Sequence, residues 1–160
     1  MINNIISLIA HLIIVGVSVV IVLIFIYIHE TAPWILNYLK HAVIRLPLAI
    51  VLILLYVYTG VLLDTKSDKK YDFLAGSLIA VIGIGIWLFT FSITSKLSVP
   101  EEIKSEYWIL FTFYYLPIAL IFMFLGIPIP TSLFELITNF IPSLLIGMGL
   151  SYKRLKMQRK

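Results

Sequence analysis

Apolar residues along the chain fall into five long runs, separated by connections that hold nearly all of the charge. The first run, residues 5–28, is apolar except for Ser7, His11, Ser18 and a terminal Tyr27. It is long enough to cross a bilayer with some tilt. Further runs occupy residues 47–63, 73–93, 108–126 and 134–150. The second is short, and the fifth is interrupted by Glu135, Asn139 and Pro142. Both still reach the minimum of about 17 residues for a crossing.

Residues 33–46 carry a different pattern. Asn37, Lys40, His41 and Arg45 recur at three- and four-residue spacing, while Trp34, Ile35, Tyr38, Leu39, Ala42 and Val43 fill the remaining positions. That spacing predicts a basic amphipathic helix lying at the membrane interface, with Thr31 as a cap and Pro33 in its first turn. Tyr107 and Trp108 open the fourth run where aromatic side chains suit headgroups, and Pro128 with Pro130 forces a sharp connection after it. The expected fold is therefore all-α: one integral membrane domain over 1–160, with five transmembrane helices, one interfacial amphipathic helix and a basic tail at 151–160.

Composition agrees with lipid as the main solvent. Hydrophobic residues make up 61% of the 160, charged residues only 12%, and the mean hydropathy is +1.08. Five crossings of roughly 20 residues leave no length for an independent soluble domain. The N-terminal run is longer than a signal-peptide core and lacks a basic lead and a small-x-small site, so it reads as an uncleaved first span. With no cysteine, disulfides, thiolate metal sites and cysteine nucleophiles are all excluded.

Charge adds orientation. The net charge is +4, and five of the twelve basic residues lie between Lys153 and Lys160. Anionic lipid is the expected partner of Lys40, Arg45, Lys153, Arg154 and Lys156, and nucleic acid is not. Strict alternation of five spans puts Lys66, Lys69 and Lys70 on one side and the other nine basic residues opposite. The positive-inside bias then predicts an outer N-terminus and a cytoplasmic C-terminus at the cell membrane.

Candidate chemistry is sparse. Glu135, Asn139, Ser143 and Gly147 follow one another at four-residue intervals and share a helix face that should turn away from lipid. Ser7, His11 and Ser18 share a face of the first span. His11 and Glu135 fall in the same half of the membrane, so a pair between them is expected either as an interhelical hydrogen bond or as part of a binding site with Asn139 and Ser143. Gly76, Ala80 and Gly83 sit at helical spacing in the third span and predict close helix packing.

Several constellations fail. His29-Glu30 has Pro33 where a zinc-binding second histidine would stand, and Asp64, Asp68 and Asp72 lack the glycine and alternation of a calcium loop. No phosphate loop or nucleophile elbow occurs, so neither cofactor nor metal is expected. The sequence favours a small non-enzymatic accessory, regulatory or immunity-type protein that binds another membrane protein or itself. Two alternatives stand beside it: a compact transport component with a pocket between spans one and five, and a lipid-modifying enzyme built on Glu101, Glu102 and Lys104.

Overall fold

Long apolar sequence with few breakers gives helices whose ends fall where proline, glycine or charge intervenes. The structure, a computed structural model, describes residues 2–35, 41–65, 69–95, 106–128 and 132–159. The described residues include the helices α1 (Ile2–Thr31), α2 (Ala42–Leu62), α3 (Ser77–Thr94), α4 (Ile109–Leu125), α5 (Ser132–Thr138) and α6 (Ile141–Gln158). A 3-10 segment, Lys69–Leu74, precedes α3. No strand occurs among the described residues, and the all-α membrane bundle stands.

Four stretches are long and apolar enough to cross a membrane: Ile2–Thr31, Ala42–Leu62, Lys70–Thr94 and Leu133–Gln158. The apolar helix Ile109–Leu125 is shorter. Element boundaries differ from the sequence reading in three places. Helix α2 starts at Ala42, so Ala42–Leu46 belongs to it and not to an interfacial helix; residues 36–40 of that expected helix lie outside the described residues. Pro47 is tolerated near the start of α2, where it removes only its own bond to the Val43 carbonyl.

The fifth run divides into α5 and α6. Pro142 has no N–H for the Thr138 carbonyl, and Asn139 Nδ2 donates to the Glu135 carbonyl at 2.8 Å, so the α-helical ladder stops between them. Third, α6 continues to Gln158, making most of the expected tail helical.

The direction of each helix follows from paired contacts. Asn3 bonds the Asp64 carbonyl and His11 meets Tyr56, so α1 and α2 are antiparallel. The His11 ring lies tilted against that of Tyr114 and Phe25 meets Phe124 edge-on, so α4 runs parallel to α1. Tyr115 with Thr138 and Phe122 with Phe134 set α5 antiparallel to α4. The end that holds Asn3 and Asp64 is called the near end; the end that holds Arg45 and Gly126, where a Cβ on the glycine would lie 3.6 Å from the guanidinium, is the far end.

Strict alternation put the 64–72 connection and the C-terminal tail on opposite sides and made the first and fourth spans antiparallel. The contacts correct both expectations. Arg154 bonds Asp72 and the Thr65 carbonyl, and Lys153 bonds the Leu63 carbonyl, which brings the end of α6 to the near end. The reason lies in α3. It starts beside Asn4, yet Thr90 near its end contacts the Tyr107 carbonyl just before α4, so it leans across the near end of the bundle and α4 then sets out in the same direction as α1.

The core between the helices is built from Leu52, Tyr56, Ile79, Phe111, Ile118, Ile146 and Leu150. Helices α2 and α6 make the tightest crossing. A Cβ on Gly149 would lie 1.9 Å from the Val57 carbonyl oxygen, and one on Gly60 would lie 2.0 Å from that of Ile146. Only glycine at both positions lets the two backbones touch. Gly126 closes α4 with φ 73°, accepting the left-handed turn that sends its N–H to the Met123 carbonyl and the Ile127 N–H to that of Phe122.

Candidate functional site

Helix α1 reverses the usual amphipathic arrangement. Its fully buried residues are Ser7, His11, Ile14 and Ser18, a stripe at four-, three- and four-residue steps, while Ile5, Ile9, Leu12 and Ile13 face outward. In lipid this is the expected sense, because a polar group finds partners only inside the bundle. Ser18 satisfies itself on the Ile14 carbonyl at 2.9 Å. His11 Nδ1 shares a 2.8 Å hydrogen bond with the Tyr56 hydroxyl, and its ring lies 4.5 Å from that of Tyr114. The Tyr114 hydroxyl donates to the Ile79 carbonyl at 2.7 Å, which ties α4 to α3.

The polar stripe of the fifth run packs on the small-residue face of α3. Ser143 sits over Gly76 and donates to the Phe73 carbonyl at 2.7 Å. Asn139 Oδ1 lies where a Cβ on Gly83 would stand, and Tyr114 touches the same glycine from the other side. Ala80 is buried between them. Thr138 gives its proton to the Phe134 carbonyl, so the Tyr115 hydroxyl, 2.6 Å away, is the donor in that pair. These groups knit α3, α4 and α5–α6 into one seam.

His11 and Glu135 do not pair. His11 belongs to Tyr56, and the half-buried Glu135 carboxylate has no hydrogen-bond or ion-pair partner among the described residues. His11, Asn139 and Ser143 make separate hydrogen bonds, to the Tyr56 hydroxyl, the Glu135 carbonyl and the Phe73 carbonyl. Ser7 Oγ and His11 Nε2, one turn apart on α1, are buried without a hydrogen-bond partner among the described residues, as are Trp87 Nε1 and Arg45 Nε.

A second polar cluster forms at the near end. Asp72 is fully buried, accepting from Arg154 Nε at 2.9 Å and from Ser151 Oγ at 3.2 Å. Arg154 also donates to the Thr65 carbonyl at 2.8 Å, and Lys153 to the Leu63 carbonyl at 2.5 Å. Two of the cations expected to contact lipid are thus engaged inside the protein. Arg45 packs at the C-terminus of α4, where its charge complements the exposed carbonyls of that helix. Lys156 is exposed, and Lys40 lies outside the described residues.

Sequence reasoning missed Tyr56, Tyr114 and Asp72 as members of these clusters. Tyr56 and Tyr114 stand in apolar runs where an aromatic residue reads as lipid-facing, and Asp72 stands among alternating charges that read as solvated. The available hint was the cost of a hydroxyl or carboxylate so close to a span, which demands a partner. No group of three or more metal-binding side chains occurs among the described residues. No family model matches the chain, and no curated protein or solved structure proved similar to it.

Proposed function

We propose that this chain is a small multi-pass protein of the cell membrane that acts by binding another membrane protein within the bilayer, as an accessory, regulatory or immunity-type partner, and not by catalysis. The observation that carries this reading is the separate engagement of its polar side chains. His11 is held by Tyr56, Asn139 by the Gly83 notch and Ser143 by the Phe73 carbonyl. A solute pocket between α1 and α5–α6 needs those groups to converge, so their dispersal weighs against transport. Glu101, Glu102 and Lys104, on which the enzyme alternative rests, lie outside the described residues. What remains for interaction is the apolar exterior, above all the long outward face of α1.

The orientation we propose has both termini in the cytoplasm. Lys69, Lys70, Lys153, Arg154, Lys156 and Arg159 belong to the near end, against Arg45 alone among the described basic residues at the far end. That asymmetry supports a near end on the inner side. Purification in mild detergent with identification of what copurifies tests the functional reading. A membrane protein recovered in fixed ratio supports it; a bound small solute in place of a protein refutes it.

A further inference from the structure

Two recesses on the outside of the bundle meet at one residue. The first, about 460 Å³, is apolar and runs along α2 past Val51, Leu54, Leu55, Tyr58 and Val61, with Tyr152 of α6 at its rim. The second, about 320 Å³, continues from Tyr152 along α6 and is lined by Leu155, Lys156 and Arg159. Each follows a helix face: 51, 54, 55 and 58 stand at i, i+3, i+4 and i+7, and so do 152, 155, 156 and 159. A continuous groove results, apolar on α2 and cationic on α6.

Its dimensions and charge select the occupant. From Val51 to Val61 is about 15 Å by helical rise, half of a hydrocarbon core about 30 Å thick and hence the depth of one leaflet. Tyr152 stands where the apolar section gives way to charge, a position that suits the headgroup boundary. Lys156 and Arg159 have no hydrogen-bond or ion-pair partner among the described residues, whereas Lys153 and Arg154 beside them are engaged by Leu63, Thr65 and Asp72. An ammonium and a planar guanidinium one turn apart match a phosphate that carries net negative charge.

We propose that this groove binds one anionic glycerophospholipid of the near-end leaflet, with an acyl chain along the α2 stripe and the phosphate between Lys156 and Arg159. The inference rests on the membrane placement of the bundle and not on the existence of a protein partner. An apolar surface seated on the α2 section alone would leave both cations without a counter-charge.

Native mass spectrometry of the intact protein, released from micelles holding equal amounts of phosphatidylglycerol and phosphatidylcholine with matched chains, tests the proposal. One phosphatidylglycerol per chain is expected to remain bound in preference to phosphatidylcholine. Lys156→Gln is expected to lower that preference about fivefold and Lys156→Gln with Arg159→Gln about thirtyfold, from the usual strength of a basic residue at an anionic surface. Lys70→Gln, which removes the same charge from the 3-10 segment, should leave the preference unchanged. Leu54→Trp fills the apolar section at an exposed position and should expel the lipid while the fold survives. Equal retention of the two lipids, equal effects of Lys156→Gln and Lys70→Gln, or undiminished retention in Leu54→Trp overturns the proposal. So does a lipid-free dimer that Leu54→Trp separates.

Discussion

Replacing Gly149 with Ala adds one methyl carbon at the point where α2 and α6 touch. That carbon would lie 1.9 Å from the Val57 carbonyl oxygen, 2.8 Å from the Val57 carbonyl carbon and 3.1 Å from the Gly60 Cα. All three are backbone atoms, so no side-chain rotation relieves the overlap. Real contacts of this kind do not fall below 3.0 Å, and the two helices must part by about 1 Å. A gap of that size forfeits a quarter to a half of the dispersion energy of each atom pair along the seam. Overpacking costs about 1–3 kcal/mol, and backbone meeting backbone belongs at the upper end. Alanine returns up to about 1 kcal/mol through helix propensity. The net expectation is a loss of about 2 kcal/mol. Titration of the purified protein with sodium dodecyl sulfate in mixed micelles, followed by far-ultraviolet circular dichroism, measures it. Gly16→Ala and Gly85→Ala are the controls, because nothing lies within 4 Å of either added carbon, and both should be neutral or slightly stabilising. If Gly149→Ala proves as stable as Gly16→Ala, the close crossing of α2 and α6 is wrong.

Asp72→Asn leaves Arg154 without its counter-charge at a buried site and should cost about 3–5 kcal/mol in the same titration, whereas Asp72→Leu combined with Arg154→Met should recover most of it. Tyr56→Phe strips His11 of its partner, leaving both ring nitrogens unsatisfied, and is expected to cost about 1–3 kcal/mol. Tyr114→Phe removes a bond to a carbonyl already inside α3 and should cost only about 0.6 kcal/mol; an equal loss in the two variants would contradict the special position of His11. For orientation, cysteines placed singly at Asp64 and Gln158 should resist an impermeant thiol reagent on intact cells, while one at His41 should react. Labelling at Gln158 with protection at His41 reverses the proposed sidedness.

The helical content of the chain was legible because apolar length alone dictates it: α1 and α4 lie nearly where their runs predict. The face of α1 was legible too, since Ser7, His11 and Ser18, three polar residues in the apolar stretch 5–26, have only one place to go. Directions were not. Alternation assumes that each apolar run crosses, and nothing local to Ser77–Thr94 reveals that Thr90 returns to Tyr107. That information resides in pairwise packing of Gly76 on Ser143 and Gly83 on Asn139, between residues more than 50 positions apart. The polar stripe of the fifth run was visible as a stripe, but its partner was not: a four-residue repeat of Asn, Ser and Gly reads equally as a binding face or a packing face until the opposing glycines are in place. Asp72 shows the limit most plainly. In sequence it is one of three acids in a charged connection, and only the return of α6 converts it into a buried ion.

The pairing of Asp72 with Arg154 also sets an order of events during synthesis. The two residues are 82 positions apart, so at roughly 5–20 residues per second the carboxylate waits about 4–16 s before its partner has been made. During that interval the emerging chain holds an acid that its surroundings will later enclose, and nascent α6 is the element that covers it. A chain cut short before Arg154 lacks the guanidinium that pairs with Asp72, so the charge of that acid has no counter-ion from α6.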